Sequence, residues 1–424
     1  MGVLRVDHPD ILEFIDAKLD GLSFQNFNLS VAVSDDVMRA VDDNRPYTLR
    51  HPRTGQPSGT LQAMEVLQRI GKAAWQTGDP GLIFLDAINR ANSTPALGGM
   101  EATNPCGEVP LLPFEACNLG SINLAHMTRS SGDGFLLDWD KLHRTVRLAI
   151  RFLDDVIEIG QWPSPRIAAM VHGNRKIGLG VMGFAELLIR LGIPYTSHQA
   201  VTLAEGIGRF LAEHALAMSR ELAAQRGVFP NWYQSIFATQ GLRLRNATRT
   251  SIAPTGTISI IAGTSPSIEP IFALSYRRAH VLGDSQLFEF NPLFLEHAHT
   301  LGLSDEQLRQ IQIRGNLTGL DFVPLQTQAL FRTALEIAPE DHLKIQAAFQ
   351  KHVDNAVSKT VNLPHSATRE EVVTIFRRAW TLGLKGITIY RYGSKDEQVL
   401  HIGTDQAAGG FDHFSRCPPQ GCKL

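Results

Sequence analysis

Asn104-Pro105-Cys106-Gly107-Glu108 puts an amide, a thiol and a carboxylate at alternate positions. In extended or turning backbone, alternate side chains point the same way, so all three can face one cavity. A thiol beside a carboxylate there suits hydrogen-atom or proton transfer. The plainer alternative is a turn with a buried thiol, a capping Asn104 and an exposed Glu108.

Three further groups carry chemistry. Cys117 lies eleven residues after Cys106. A loop of that length can curl until the two sulfurs are neighbours, and a disulfide needs Cα atoms within about 7 Å. Two independent core cysteines fit as well, because free Cys is often buried. Ala253-Pro254-Thr255-Gly256-Thr257-Ile258-Ser259 follows an apolar run and is rich in hydroxyls. Backbone N–H groups at such a turn make an anion site. It lacks the Lys of the P-loop motif, and an ordinary strand-to-helix turn is the alternative. Cys417-Pro418-Pro419-Gln420-Gly421-Cys422 carries a second thiol pair. With a four-ligand zinc site unsupported by the spacing, it reads as a dithiol for exchange or as an unselected tail.

The whole chain constrains these readings. It has 424 residues, 40 Lys+Arg against 42 Asp+Glu, and 4 Cys. That balance gives no bulk attraction to nucleic acid or membrane surfaces. Four cysteines cannot staple a chain this long, so the expectation is a cytoplasmic protein whose thiols are catalytic, metal-binding or inert. No bound metal ion is implied, apart from any held inside a cofactor. No apolar run approaches the roughly 20 residues of a membrane span. Met1-Gly2 leads at once into Val3-Leu4-Arg5-Val6, a strand-like run without the charged and apolar regions of a secretory signal.

The elements that must position the chemistry are partly readable. Helical spacing marks 10–20, 61–77, 81–91, 138–159 and 198–226, the last stopped by Gly227 and Pro230. Ser34 caps one helix, and Thr368 with Glu371 forms a capping box. Residues 29–33, 250–253 and 386–390 read as strands. Residues 93–124 read as one long loop, too apolar to be disordered. The tail after Tyr392 is polar and Gly-rich and reads as mobile. Helices alternating with short apolar strands imply an α/β architecture with a covered sheet.

The 104–108 motif, then Glu115-Ala116-Cys117-Asn118-Leu119-Gly120-Ser121-Ile122-Asn123-Leu124, is similar to the catalytic loop of ribonucleotide reductases. Asn174-Arg175-Lys176-Ile177-Gly178-Leu179-Gly180-Val181-Met182-Gly183, the 253–259 turn and His352-Val353-Asp354-Asn355-Ala356-Val357-Ser358-Lys359-Thr360 extend the resemblance from Val3 to about Ser394. The flavour is that of class II enzymes. Class I large subunits have two consecutive tyrosines late in the barrel that relay a radical from a second subunit. The matching place here reads Ile389-Tyr390, so that relay is broken.

The resemblance implies an incomplete ten-stranded α/β barrel over 1–394, with a central finger loop, and a flexible redox tail over 395–424. It implies radical reduction of ribonucleoside di- or triphosphates to deoxyribonucleotides, with adenosylcobalamin as cofactor. Cys106 would form the thiyl radical and Glu108 would act as base. Asn104 would hydrogen-bond substrate, and Cys117 would be one of two reducing cysteines. Pro254, Thr255, Gly256, Thr257, Ile258 and Ser259 would hold the substrate phosphates. Cys417 and Cys422 would re-reduce the site with electrons from thioredoxin or glutaredoxin. The family's other reducing cysteine lies on an early strand, and no cysteine precedes Cys106 here. An N-terminal segment or partner chain is therefore expected to complete the enzyme. The alternatives are a class I-type radical source, or a non-catalytic remnant that binds nucleotide or cobalamin.

Overall fold

The computed structural model describes residues 1–132, 134–281, 285–394 and 400–402. It has two units, Met1–Pro270 with Ala334–Asp396, and Ile271–Thr333 with Glu397–Leu424.

The first unit is built on short apolar strands. β1 (Gly2–Arg5), β2 (Leu29–Val33) and β3 (Gly81–Phe84) are parallel. β4 (Asn118–Asn123) pairs in parallel with β5 (Ile177–Met182), and β6 (Thr360–Leu363) in parallel with β7 (Gly386–Arg391). Two parallel bridges, Leu179↔Thr250 and Ile252↔Val357, lay residues 250–252 between β5 and the run into β6. The strand neighbours therefore run β1-β2-β3-β7-β6, then 250–252, β5 and β4. The two parallel groups meet in one antiparallel seam, where Gly386 pairs with Ile83 and Ile387 with Leu82. Among the described residues no strand pairing joins β1 to β4, so the arc does not close into a barrel.

Helices cover the arc on the outside, as parallel strands require. α1 (Ala63–Thr77) and α5 (Arg369–Thr381) bury Val66, Leu67, Ile70, Val372 and Phe376 against β2, β3, β6 and β7. α2 (Trp139–Ile159) and α3 (His198–Arg226) bury Val146, Ile150, Ile207 and Leu211 against β4 and β5. α4 (Pro339–Gln350) contributes Leu343 to the first core and Ile345 and Phe349 to the second. Each such side chain stabilises by about 1.5–3 kcal/mol on burial.

Local signals behave as expected at several ends. The Ser34 hydroxyl accepts from the Val37 N–H, and Thr368 and Glu371 form the reciprocal capping box. Four expectations change. Residues 81–91 are a strand followed by a short helix, Leu85–Arg90, because Gly81–Phe84 is buried on both faces and carries no alternation. The helix expected over 10–20 closes at Asp16 and continues as turns. The 93–124 loop contains β4, whose Asn, Gly and Ser content resembles a turn. Residues 250–253 join the sheet only through bridges.

In the second unit, Ser275–Val281 pairs antiparallel with Ser285–Phe290 and with Leu400–Ile402, so part of the expected mobile tail is a strand. Cys417 and Cys422 lie outside the described residues. Among the described residues no helix is long and apolar enough to cross a membrane.

Candidate active site

The finger is a small hairpin. Ala102-Thr103 pairs with Pro110-Leu111, and the Asn104 N–H donates to the Val109 carbonyl. The Asn104 side-chain oxygen accepts from the Val109 N–H at 3.0 Å. Gly107 closes the turn with φ of 84°, a region costly for any residue with a Cβ. Outside groups fix the tip. The Glu108 carbonyl accepts from the Ser251 hydroxyl and the Ala356 N–H, each at 2.8 Å. The Pro105 carbonyl accepts from Asn28 Nδ2 at 2.9 Å.

Cys106 at this tip lines a cavity of about 410 Å³ inside the arc, together with Pro105, Gly107 and Pro254. Burial and the Glu108 carboxylate push its thiol above the ordinary 9.0. It therefore stays protonated at neutral pH. Glu108 is buried, and its Oε2 has no partner among the described residues. Burial pushes this carboxyl above the usual range, against hydrogen bonds from the Asn104 side chain and from its own backbone that lower it. Asn104 and Cys106 thus both lie close to Glu108, but of the three only Cys106 lines the cavity.

Cys117 immediately precedes β4 and is a free thiol that donates to the Asn118 carbonyl at 3.4 Å. Burial pushes it up to about 12; the Lys176 ammonium opposes this, while Glu115 and Glu108 add to it. Glu108 therefore raises both thiols. Cys117 does not line the Cys106 cavity.

The two longer motifs have structural work. The Glu115 carboxylate accepts from Lys176 Nζ at 2.6 Å, Asn174 Nδ2 at 2.6 Å and the Leu112 N–H at 2.8 Å. This fixes the base of the finger to the entry of β5. A Cβ on Gly180 would lie 2.2 Å from the Ser251 carbonyl oxygen, so only glycine lets 250–252 lie against β5.

The 254–259 turn is divided. Thr255 has φ of 53° and its hydroxyl accepts from the Ser267 N–H at 2.7 Å. Ser259 is buried and donates to the Gly256 carbonyl at 3.2 Å. Gly256, Thr257 and Ile258 are exposed, and Pro254 reaches the cavity. Among the described residues no group of three or more His, Cys, Asp or Glu is gathered as for a metal ion.

Sequence reasoning missed the opposite wall. Ser30, Ser358, Asn362, Thr388 and Tyr390 line the cavity, and their side chains make no hydrogen bond among the described residues. Thr360 pairs with Thr388 and Asn362 with Tyr390, so one face of β6–β7 is polar while Val361, Ile387 and Ile389 fill the core. The alternation in Gly386-Ile387-Thr388-Ile389-Tyr390 was the available signal. Tyr390 faces the cavity and Ile389 the core.

Comparison with known proteins agrees with this geometry. The family described as ribonucleotide reductase, barrel domain, matches residues 1–244 and 238–390. A Mycobacterium tuberculosis protein named vitamin B12-dependent ribonucleoside-diphosphate reductase is 52% identical over 402 residues, covering 94% of this chain and 57% of its own. A Thermoplasma acidophilum protein of the same name is 48% identical over 406 residues, covering 95% of this chain and 52% of its own. The chain therefore spans about half the length of the curated relatives it matches. The solved class Id ribonucleotide reductase alpha subunit of Actinobacillus ureae shares the fold at a TM-score of 0.75 and 24% identity, covering 92% of this chain and 70% of that one. By finger, arc and family match together, the chain belongs to the ribonucleotide reductase barrel-domain family.

Proposed function

We propose that this chain carries the thiyl half of a class II ribonucleotide reductase site and works with an N-terminal segment that completes the barrel. One observation carries the reading: the hairpin tip sets the Cys106 thiol at a cavity, close to a buried carboxyl with an unpartnered oxygen. The Cys106 sulfur, once its hydrogen atom is lost, takes the 3′ hydrogen of the ribose. Glu108 accepts the proton of the 3′ hydroxyl, and Asn104 orients both Glu108 and substrate. The 2′ oxygen leaves as water. Cys117 and a second thiol supply two electrons and two protons and become a disulfide, and Cys106 gives a hydrogen atom back to the 3′ carbon, which regenerates its thiyl. Cys417 and Cys422 return that disulfide to thiols, drawing on thioredoxin or glutaredoxin. Gly256, Thr257 and Ile258 offer amides and a hydroxyl to the substrate phosphates, flanked by Pro254, Thr255 and Ser259.

The unpartnered polar wall of Ser358, Asn362, Thr388 and Tyr390 suits a nucleoside-bearing group such as that of adenosylcobalamin. Bound there, adenosylcobalamin supplies the one-electron oxidising equivalent that starts the chemistry. The M. tuberculosis and T. acidophilum relatives are named as B12-dependent, which supports the cofactor. The open edge between β1 and β4 supports a further segment. Working thiols suit a reducing compartment, the cytoplasm.

The test is deoxynucleotide formation with adenosylcobalamin and a dithiol, with and without the upstream segment of a longer relative. Activity is expected only with both pieces, and Cys106→Ala abolishes it. Activity retained in Cys106→Ala sinks the thiyl assignment; activity of the chain alone sinks the need for a second segment.

A further inference from the structure

We infer that Asn28 is a positioning residue for Cys106, held by a clamp of Lys18 and Asp79; this rests on the reading of Cys106 as the reacting thiol. The finger tip is tied to the arc at two carbonyls. On one side Ser251 and Ala356 hold the Glu108 carbonyl. On the other, Asn28 Nδ2 holds the Pro105 carbonyl at 2.9 Å. Cys106 is suspended between these ties.

The backbone around Asn28 is tied at the Phe27 and Asn28 carbonyls and at the Leu29 N–H. The Phe27 carbonyl accepts from Lys18 Nζ. The Asn28 carbonyl accepts from the Gly2 N–H at 2.8 Å. The Leu29 N–H donates to Asp79 Oδ1 at 3.1 Å, and Asp79 Oδ2 accepts from Lys18 Nζ at 2.9 Å. The Lys18 and Asp79 side chains are only 12% and 13% exposed, so this ion pair is shielded where most surface pairs are not. Asp79 also lines the cavity, beside Asn28 and Cys106. The clamp fixes the chain on either side of residue 28, and the Asn28 side-chain amide reaches from it to the finger.

This tie has a chemical consequence. Hydrogen-atom transfer falls off within fractions of an ångström, and positioning residues away from the chemistry control it strongly. A tip held at Glu108 alone can swing about that carbonyl, with Gly107 as the pivot. The second tie removes that freedom.

The test is hydrogen–deuterium exchange over residues 102–111 with mass-spectrometric readout, on the full chain. Asn28→Ala is expected to speed exchange there about fivefold to tenfold, the worth of one hydrogen bond, and to leave residues 177–182 unchanged. Asn28→Asp, which sets a carboxylate against the Pro105 carbonyl, is expected to exceed Asn28→Ala. Lys18→Ala loosens the clamp from its far end and raises exchange in the same peptide. In the completed enzyme, Asn28→Ala lowers kcat with KM unchanged, and Asn28→Gln restores part of it. Unchanged exchange over 102–111, a rise shared equally with 177–182, or an unchanged kcat despite faster exchange overturns the inference. The exchange readout is independent of the radical chemistry, so failure of the thiyl reading shows separately, in Cys106→Ala.

Discussion

Lys176 Nζ lies 2.6 Å from Glu115 Oε2, with both side chains wholly buried. Removing one partner of such a pair leaves an uncompensated charge and costs about 3–5 kcal/mol. Lys176→Met is expected to lose that much stability in urea unfolding. Arg377→Ala, which breaks a half-exposed pair with Asp42, is expected to cost under about 1 kcal/mol. Similar losses in the two variants would contradict a structural role for the pair at the finger's base.

The two described thiols differ in reactivity. Cys106 is exposed to the cavity and Cys117 is pushed up to about 12 by burial. Iodoacetamide followed by peptide mapping is expected to label Cys106 first. Its rate should climb with pH beyond the ordinary thiol range, because Cys106 is raised too. Cys117 should stay unmodified at pH 9. Labelling of Cys117 at the rate of Cys106 in the folded chain would refute this order.

Glu108 sets a pH dependence on stability. Its carboxyl titrates above the usual 4.5 in the folded chain. The unfolded chain therefore loses this proton first as pH rises. Stability falls as pH climbs from the unfolded value through the folded one, and stays lower above it. Glu108→Gln is expected to stabilise by roughly 1 kcal/mol at pH 7, the lower end for a buried unpaired group. The gain should vanish near pH 4, where both forms are neutral. A gain independent of pH would point to packing instead.

Gly180→Ala tests the seating of 250–252. The new methyl would meet the Ser251 carbonyl, backbone that cannot rotate away. Overpacking of this kind costs about 1–3 kcal/mol or more. Gly192→Ala meets no atom within 4 Å, although its φ of 68° adds strain. Thermal melts should show the larger drop at Gly180.

Much of the site was legible because its chemistry is local. Asn104, Cys106 and Glu108 sit within one tight turn, so their closeness could be read from the motif, whereas the common cavity expected from alternation holds for Cys106 alone. The Ser34 and Thr368 caps were legible for the same reason. Asn28, Asp79 and Ser251 were not, because their roles depend on contacts with residues 77, 61 and 143 positions away or of comparable separation. β3 and β4 were misread because a doubly buried strand has no alternation and a Gly-rich one mimics a turn.

The seam between β3 and β7 joins Leu82 to Ile387. Loop closure over such a span comes late in folding. During synthesis, β1, β2 and β3 leave the ribosome long before β7 exists to cover the free edge of β3. That edge is Gly81-Leu82-Ile83-Phe84, apolar throughout, with only the flanking Asp79-Pro80 and Asp86 as gatekeepers. The nascent chain is thus exposed to misassembly through one specific tetrapeptide, and a holding chaperone would meet it there.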